Sequence, residues 1–184
     1  MIRPTIIGYD RVWPARFDQL AAVIRHELGS DVVRIDHIGS TSVPGLAAKN
    51  TIDIQVTVAS LSTADCWPEK IGPFRRGGFC EDHVPPEAMP GVDWTKRFWS
   101  SSRPSANLHV REAGRANQRY AVLFRDYLRA NRKSASAYER AKRQLADLCD
   151  DTATYADAKD PICDLIMENA ERWAVEVGWT VLPR

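Results

Sequence analysis

The run Gly39-Ser40-Thr41-Ser42 sets three hydroxyls behind a glycine, between a stretch of strand character and Pro44. Glycine allows a sharp turn and a close backbone approach to a ligand. Backbone N–H groups and hydroxyls at the start of a helical turn hydrogen-bond anions. A phosphate suits such a turn. A Ser- or Thr-capped connection between a strand and a helix has the same composition, and the GxxxxGK[ST] pattern of a P-loop is absent.

The next segment, Thr51-Ile52-Asp53-Ile54-Gln55-Val56, alternates polar and apolar residues. Strand side chains alternate between faces, so Thr51, Asp53 and Gln55 share one face and Ile52, Ile54 and Val56 the other. A carboxylate in so apolar a strand is costly to bury unless it is paired or holds a metal. Together the turn and the strand can place a phosphate beside a metal-binding Asp53, with Gln55 as an accessory ligand. Asn107-Leu108-His109-Val110 repeats the pattern. If its strand neighbours the Asp53 strand, His109 approaches Asp53. The two can then share a metal, or the carboxylate can orient the imidazole. His37 ends the strand before the turn, and a site of His37, Asp53 and His109 would suit a metal-dependent hydrolase. Lys49, Lys96 and Arg97 lie near these segments in sequence, and Lys49 and Arg97 are candidate phosphate contacts. Arg125 and Arg129, four apart, share a helical face.

Several elements must position these groups. Trp13, Phe17, Leu20, Ala21, Ile24 and Leu28 recur at helical spacing, with Pro14 suited to the first turn and Gly29 to the stop. Residues 32–38 and 51–58 read as strands. Residues 45–49 suggest one helical turn, 64–71 a short helix broken at Pro68, and 79–84 a third strand. Residues 85–93, with three prolines, read as loop. Strands are expected over 95–101 and 106–111. Three helices follow, marked by Tyr120, Leu123, Phe124, Tyr127 and Leu128, then by Tyr138, Ala141, Leu145 and Leu148, then by Ile162, Ile166, Ala170, Trp173 and Val177. The expected class is α+β, a mixed sheet flanked by helices. Residues 1–111 would form the helix and sheet core, and residues 112–184 C-terminal helices packed on it, in one domain of 184 residues.

Composition narrows the function classes. The net charge of +1 gives no basic bulk to favour nucleic acid, so any anion site is local. No stretch is apolar enough to cross a bilayer, and Tyr9, Asp10 and Arg11 interrupt any signal-peptide core. A cytoplasmic location is expected. The four cysteines form no CxxC pair and read as reduced thiols.

The strings IGYDRVWPARF, HIGSTSVPGLAAKNTIDIQV, KRFW, NLHVR, FRDYLRANR and YERAKRQLA, with Tyr155, Lys159, Ala170 and Trp173 beyond them, resemble the GrpB family in order and spacing over nearly the whole chain. The resemblance implies a nucleotidyltransferase-like fold. In that superfamily a Gly-Ser turn contacts a nucleotide triphosphate and the next strand carries a D-x-[DE] pair. Gly39 and Ser40 match the turn and Asp53 the first acid. Gln55 stands in place of the second acid. Asn107 and His109 occupy the strand where a third acid would stand, and Asn50 replaces an expected proline. Two divalent ions need several carboxylates, so a single Mg²⁺ held largely by substrate phosphates, or a softer metal on Asp53 and His109, is what these residues allow. The implied functions are metal-dependent nucleotidyl or phosphoryl transfer, or a non-catalytic module that senses a nucleotide or assists a protein partner. The same domain is found fused to some bacterial dephospho-CoA kinases. Lacking a P-loop, this chain is expected to be the free-standing form, without that kinase activity.

Overall fold

The computed structural model describes residues 3–77, 80–85 and 91–181. Helix α1 (Trp13–Leu28) buries Trp13, Leu20, Ile24 and Leu28, has a proline in its first turn, and stops at Gly29, whose φ is +52°. Strand β1 (Arg34–Ile38) follows, then a 3₁₀ turn at Ser40–Ser42, then β2 (Ile52–Val58). Next come α2 (Leu61–Asp65), the short strands β3 (Lys70–Ile71), β4 (Phe74–Arg76) and β5 (Cys80–Glu81), and the long strands β6 (Thr95–Ser102) and β7 (Ser105–Glu112). The chain closes with α3 (Ala116–Ala130), α4 (Arg132–Leu148), α5 (Thr152–Ala158) and α6 (Asp160–Val177).

The strands form an open mixed sheet in the order β1-β2-β7-β6-β4-β3, with β5 paired to β6. Strands β2 and β7 run parallel at its centre, and the other pairs are antiparallel. The class is α+β, as the sequence implies.

One face of the sheet is apolar. Ile52, Ile54, Val56 and Val58 of β2 join Ala106, Leu108 and Val110 of β7 and Trp99 of β6 in a core closed by α1 and α2. The C-terminal helices build a second core from Leu123, Tyr127, Leu128, Tyr138, Ile166 and Ala170, with Val43 and Leu46 of the loop after the turn. They meet the other face of the sheet through polar contacts. The Arg125 Nη1 group donates to Asp36 Oδ1 at 3.2 Å, and Gln55 Nε2 donates to the Gln118 carbonyl at 3.1 Å.

Four local readings differ. The helical turn expected at 45–49 forms earlier, at Ser40–Ser42, because Gly39 turns the chain there, and Ala48 pairs instead with Ile7. Helix α2 ends before Pro68, and Lys70 and Ile71, expected at the end of a helix, instead form β3 and pair with β4 in a hairpin. Helix α5 has no apolar stripe, and its start is set by Asp151, whose carboxylate accepts from the Ala153 and Thr154 amides. On α4 the buried stripe is Tyr138, Lys142 and Ala146, and Leu148 is exposed. Phe79 of the expected third strand and residues 86–90 of the expected loop lie outside the described residues.

Candidate functional site

Parallel pairing of β2 and β7 sets Asp53 beside Asn107 and Gln55 beside His109. The Asn107 amide donates to Asp53 Oδ1 at 2.8 Å, and His109 Nε2 stands 3.7 Å from the same oxygen. Burial works to raise the Asp53 pKa. The facing His109, the Asn107 amide and the Lys49 charge outweigh it, so the carboxyl is held below its usual range and ionised. Burial drives the His109 pKa down to about 4, with Arg111 and Lys96 adding to the fall, so the ring is neutral at pH 7. With its proton on Nε2, towards Asp53, its buried Nδ1 has no hydrogen-bond partner.

Gly39 lies over this carboxylate. Its φ of +67° and ψ of −173° fall in a region open only to glycine, and a Cβ there would sit 2.5 Å from Asp53 Oδ2. The three hydroxyls that follow have different tasks. Ser42 Oγ donates to the Gly39 carbonyl at 2.6 Å, and Thr41 Oγ1 is 3.0 Å from His37 Nε2. Both residues are buried and hold the turn. Arg129 secures it from α3 by donating to the Ser42 carbonyl at 2.7 and 3.0 Å. Ser40 alone faces a cation: its Oγ accepts from Lys142 Nζ at 2.9 Å.

Lys142 is 2% exposed. Its amine also donates to the Ala47 carbonyl and lies 4.8 Å from the Tyr138 ring centre. Burial, with the nearby Lys159 charge, draws its pKa down to about 7. Lys49 and Lys159 rest over the buried Tyr155 ring at 5.5 and 5.2 Å. The Lys49 pKa is lowered by burial and then by Lys159, against the pull of Asp53. Lys142 thus reaches Ser40 of the turn, and Lys49 and Lys159 meet over one ring close enough for the Lys159 charge to act on both other amines.

Beside it opens a cavity of 270 Å³. Gly39, Asp53 and His109 reach it from the sheet side, and Trp94, Tyr120 and Phe124 supply aromatic walls. Trp94 Nε1 and Asn117 Oδ1, also on residues of this wall, are buried without partners. Its rim is fixed by Asp82, which accepts from Arg111 at 2.7 Å, from Asn117 at 3.2 Å and from Lys96. His83 stands between Asp160 and Asp164, at 3.3 and 3.0 Å.

The structure brings Gly39, Ser40, Lys49, Asp53 and His109 together and sets other candidates apart. Arg97 pairs in register with Val110, on the opposite face, and its guanidinium binds Asp65. It is not at the site. His37 is opposite Ile54, stacks on Phe17 at 4.8 Å and so faces α1, away from His109. The trio His37, Asp53 and His109 does not converge. Gln55 shares the Asp53 face, but its Oε1 accepts from Arg111 at 2.7 Å. That contact takes the atom a metal would need. Among the described residues no three His, Cys, Asp or Glu side chains are grouped to hold a metal ion. Sequence reasoning missed Lys142, Lys159 as a functional group, and the Arg111–Asp82 pair. A lysine on the buried stripe of α4 was the available signal.

Fold and site together define an α+β domain with an open mixed sheet, one apolar face, and a polar face enclosed by C-terminal helices around a glycine turn. The chain belongs to the GrpB family: the model described as GrpB protein matches residues 3–169. It is 36% identical over 171 residues to the UPF0157 protein BH1888 of Halalkalibacterium halodurans, covering 90% of this chain and 82% of that protein. It is 34% identical over 199 residues to a dephospho-CoA kinase of Mycobacterium leprae, covering 95% of this chain and 48% of that one. The chain thus spans about half the length of the kinases it matches. The crystal structure of conserved protein GrpB from Enterococcus faecalis superposes with a TM-score of 0.72 at 26% identity, covering 92% of this chain and 99% of that one. Among the described residues no helix is long and apolar enough to cross a membrane.

Proposed function

We propose that this chain binds a nucleotide or another phosphate-bearing small molecule, in the cytoplasm, with the phosphate at the Gly39–Ser40 turn and the remainder in the adjoining aromatic-walled cavity. The observation that carries this reading is the contact of Ser40 with a buried lysine, in a turn opened by a glycine whose bare backbone lies against Asp53. Anion sites are built from such turns, small residues and cations. A cavity of 270 Å³ is close to the lower end of small-ligand sites. In this reading the domain is a binding module with the outline of a nucleotidyltransferase. It serves as a sensor, or as an accessory to a protein partner.

Nucleotidyl or phosphoryl transfer is the second reading. The contact of Asp53 with the neutral His109 favours it, since such a pair can position a proton acceptor. It asks for a divalent ion, Mg²⁺ first, anchored by Asp53 and the substrate phosphates. Thermal shift with a panel of nucleotides, with and without Mg²⁺, tests the binding reading, because a ligand that binds the folded state raises its melting temperature. A rise that Gly39→Ala abolishes supports it. No rise with any phosphate compound at millimolar concentration rejects it. Divalent-dependent turnover lost in a folded Asp53→Ala variant would establish the second reading.

A further inference from the structure

We infer that Lys49, Lys142 and Lys159 take the part of a divalent ion at this site, neutralising a ligand that carries a phosphate dianion or polyphosphate, which therefore binds without metal. The inference rests on the anion-binding reading of the Gly39–Ser40 turn.

The side chains present do not fit a divalent ion. Asp53 is the carboxylate that lies against Gly39 of the turn, and its Oδ1 already accepts from Asn107. The Gln55 oxygen is held by Arg111, and His109 is one neutral ring. Mg²⁺ and Ca²⁺ sites are built from several oxygens with carboxylate charge. Here Lys49 adds positive charge next to Asp53. The other acids of the cavity wall are already engaged, Asp82 with Lys96 and Arg111, and Asp160 with His83. With Lys142 protonated in the bound state, three ammonium groups stand against Asp53 and the already paired Glu139, an excess of positive charge that suits a phosphate dianion.

Lys142 points to the ligand most directly. Among the described residues no carboxylate lies within ion-pair distance of its amine, although the side chain is 2% exposed. A buried ammonium without a counter-ion is costly and tends to lose its proton. Lys159 and Arg143 deepen that loss, and Glu139 and Cys163 oppose it. Glu139 is itself committed to the Ala47 amide and to Arg143. A methionine would fill the same volume at lower electrostatic cost. What the amine adds is a donor and a charge at Ser40 Oγ, and a phosphate seated there supplies the missing counter-ion. Binding above neutral pH should therefore draw a proton onto Lys142.

Isothermal titration with inorganic pyrophosphate and with ATP, in EDTA and again in excess Mg²⁺, tests this. Binding is expected in EDTA, with no gain in affinity from Mg²⁺, and with proton uptake at pH 8 read from two buffers of different ionisation enthalpy. Lys142→Met should weaken binding by about tenfold or more and abolish the proton uptake. Lys159→Met, at a half-buried helix junction, should weaken it severalfold and carries the test if Lys142→Met does not fold. Binding in Mg²⁺ but not in EDTA overturns the lysine assignment and leaves the anion site standing. Unchanged affinity in the lysine variants also overturns it. No binding under either condition overturns the assignment and the reading beneath it.

Discussion

The two faces of strands β2 and β7 are built from the same two stretches of chain and do opposite work. One face presents Ile52, Ile54, Val56, Leu108 and Val110, all fully buried, to α1 and α2. The other presents Asp53, Gln55, Asn107, His109 and Arg111 to the C-terminal helices. The first is held by removal of apolar surface from water. The second is held by hydrogen bonds and ion pairs with few atoms to spare, so removing one partner strands another. Orphaned atoms occur on the second face, at Thr57 Oγ1, His109 Nδ1 and Asn117 Oδ1 of the helix above it. A stable fold needs the first face, and a ligand site is what the second can offer.

The sharpest way to break this contrast is to damage each face separately. Asp36→Ala leaves the buried Arg34 and Arg125 without the carboxylate they share. It should cost about 3–5 kcal/mol in urea unfolding. Leu108→Ala on the apolar face should cost about 2–5 kcal/mol and leave pyrophosphate affinity of the folded protein unchanged. If Leu108→Ala abolished binding while the fold persisted, the division of labour would be wrong.

Acid should act through the polar face and the turn beneath it. His37 and His109 both have folded pKa values near 4, against an ordinary 6.5. Between those values the unfolded chain binds more protons than the folded one, so stability falls as pH drops from about 6.5 to about 4. The loss should be on the order of 2–3 kcal/mol for each histidine. A melting temperature flat across that window would show that neither ring is held neutral in the folded state.

Gly39→Ala should cost about 1–3 kcal/mol from backbone strain alone. It also displaces Asp53, so phosphate binding should be lost in molecules that remain folded. The smallest effect is expected of Arg97→Met. Its partner Asp65 is exposed, so the change should move stability by no more than about 1 kcal/mol and leave pyrophosphate binding intact. A binding loss there would place a ligand on the face assigned to packing.

Much of this contrast could be read in advance. Alternation along Thr51–Val56 and Asn107–Val110 separates the two faces without any knowledge of the sheet. The Asp53–His109 contact then needs only that the two strands be neighbours. Arg97 is a candidate by nearness in sequence alone, and one step along β6 exchanges Lys96, which meets Asp82, for Arg97, which meets Asp65. The partners of Gln55 lie 56 and 63 residues away, at Arg111 and Gln118, and Lys142 is 102 residues from Ser40. Such pairings depend on how helices dock, which no local pattern encodes. The β3–β4 hairpin and α5 were hidden for a different reason. Each is too short to show a period, and each is fixed by one feature, Gly72 in the hairpin turn and Asp151 at the helix start.

The most direct measurement is a crystal structure of the protein grown with ATP in the presence of EDTA. Phosphate oxygens within hydrogen-bond distance of Ser40 Oγ and Lys142 Nζ, with the base in the cavity walled by Trp94, Tyr120 and Phe124, are the predicted result. A nucleotide bound elsewhere, or a phosphate reached only through a metal on Asp53, would contradict it.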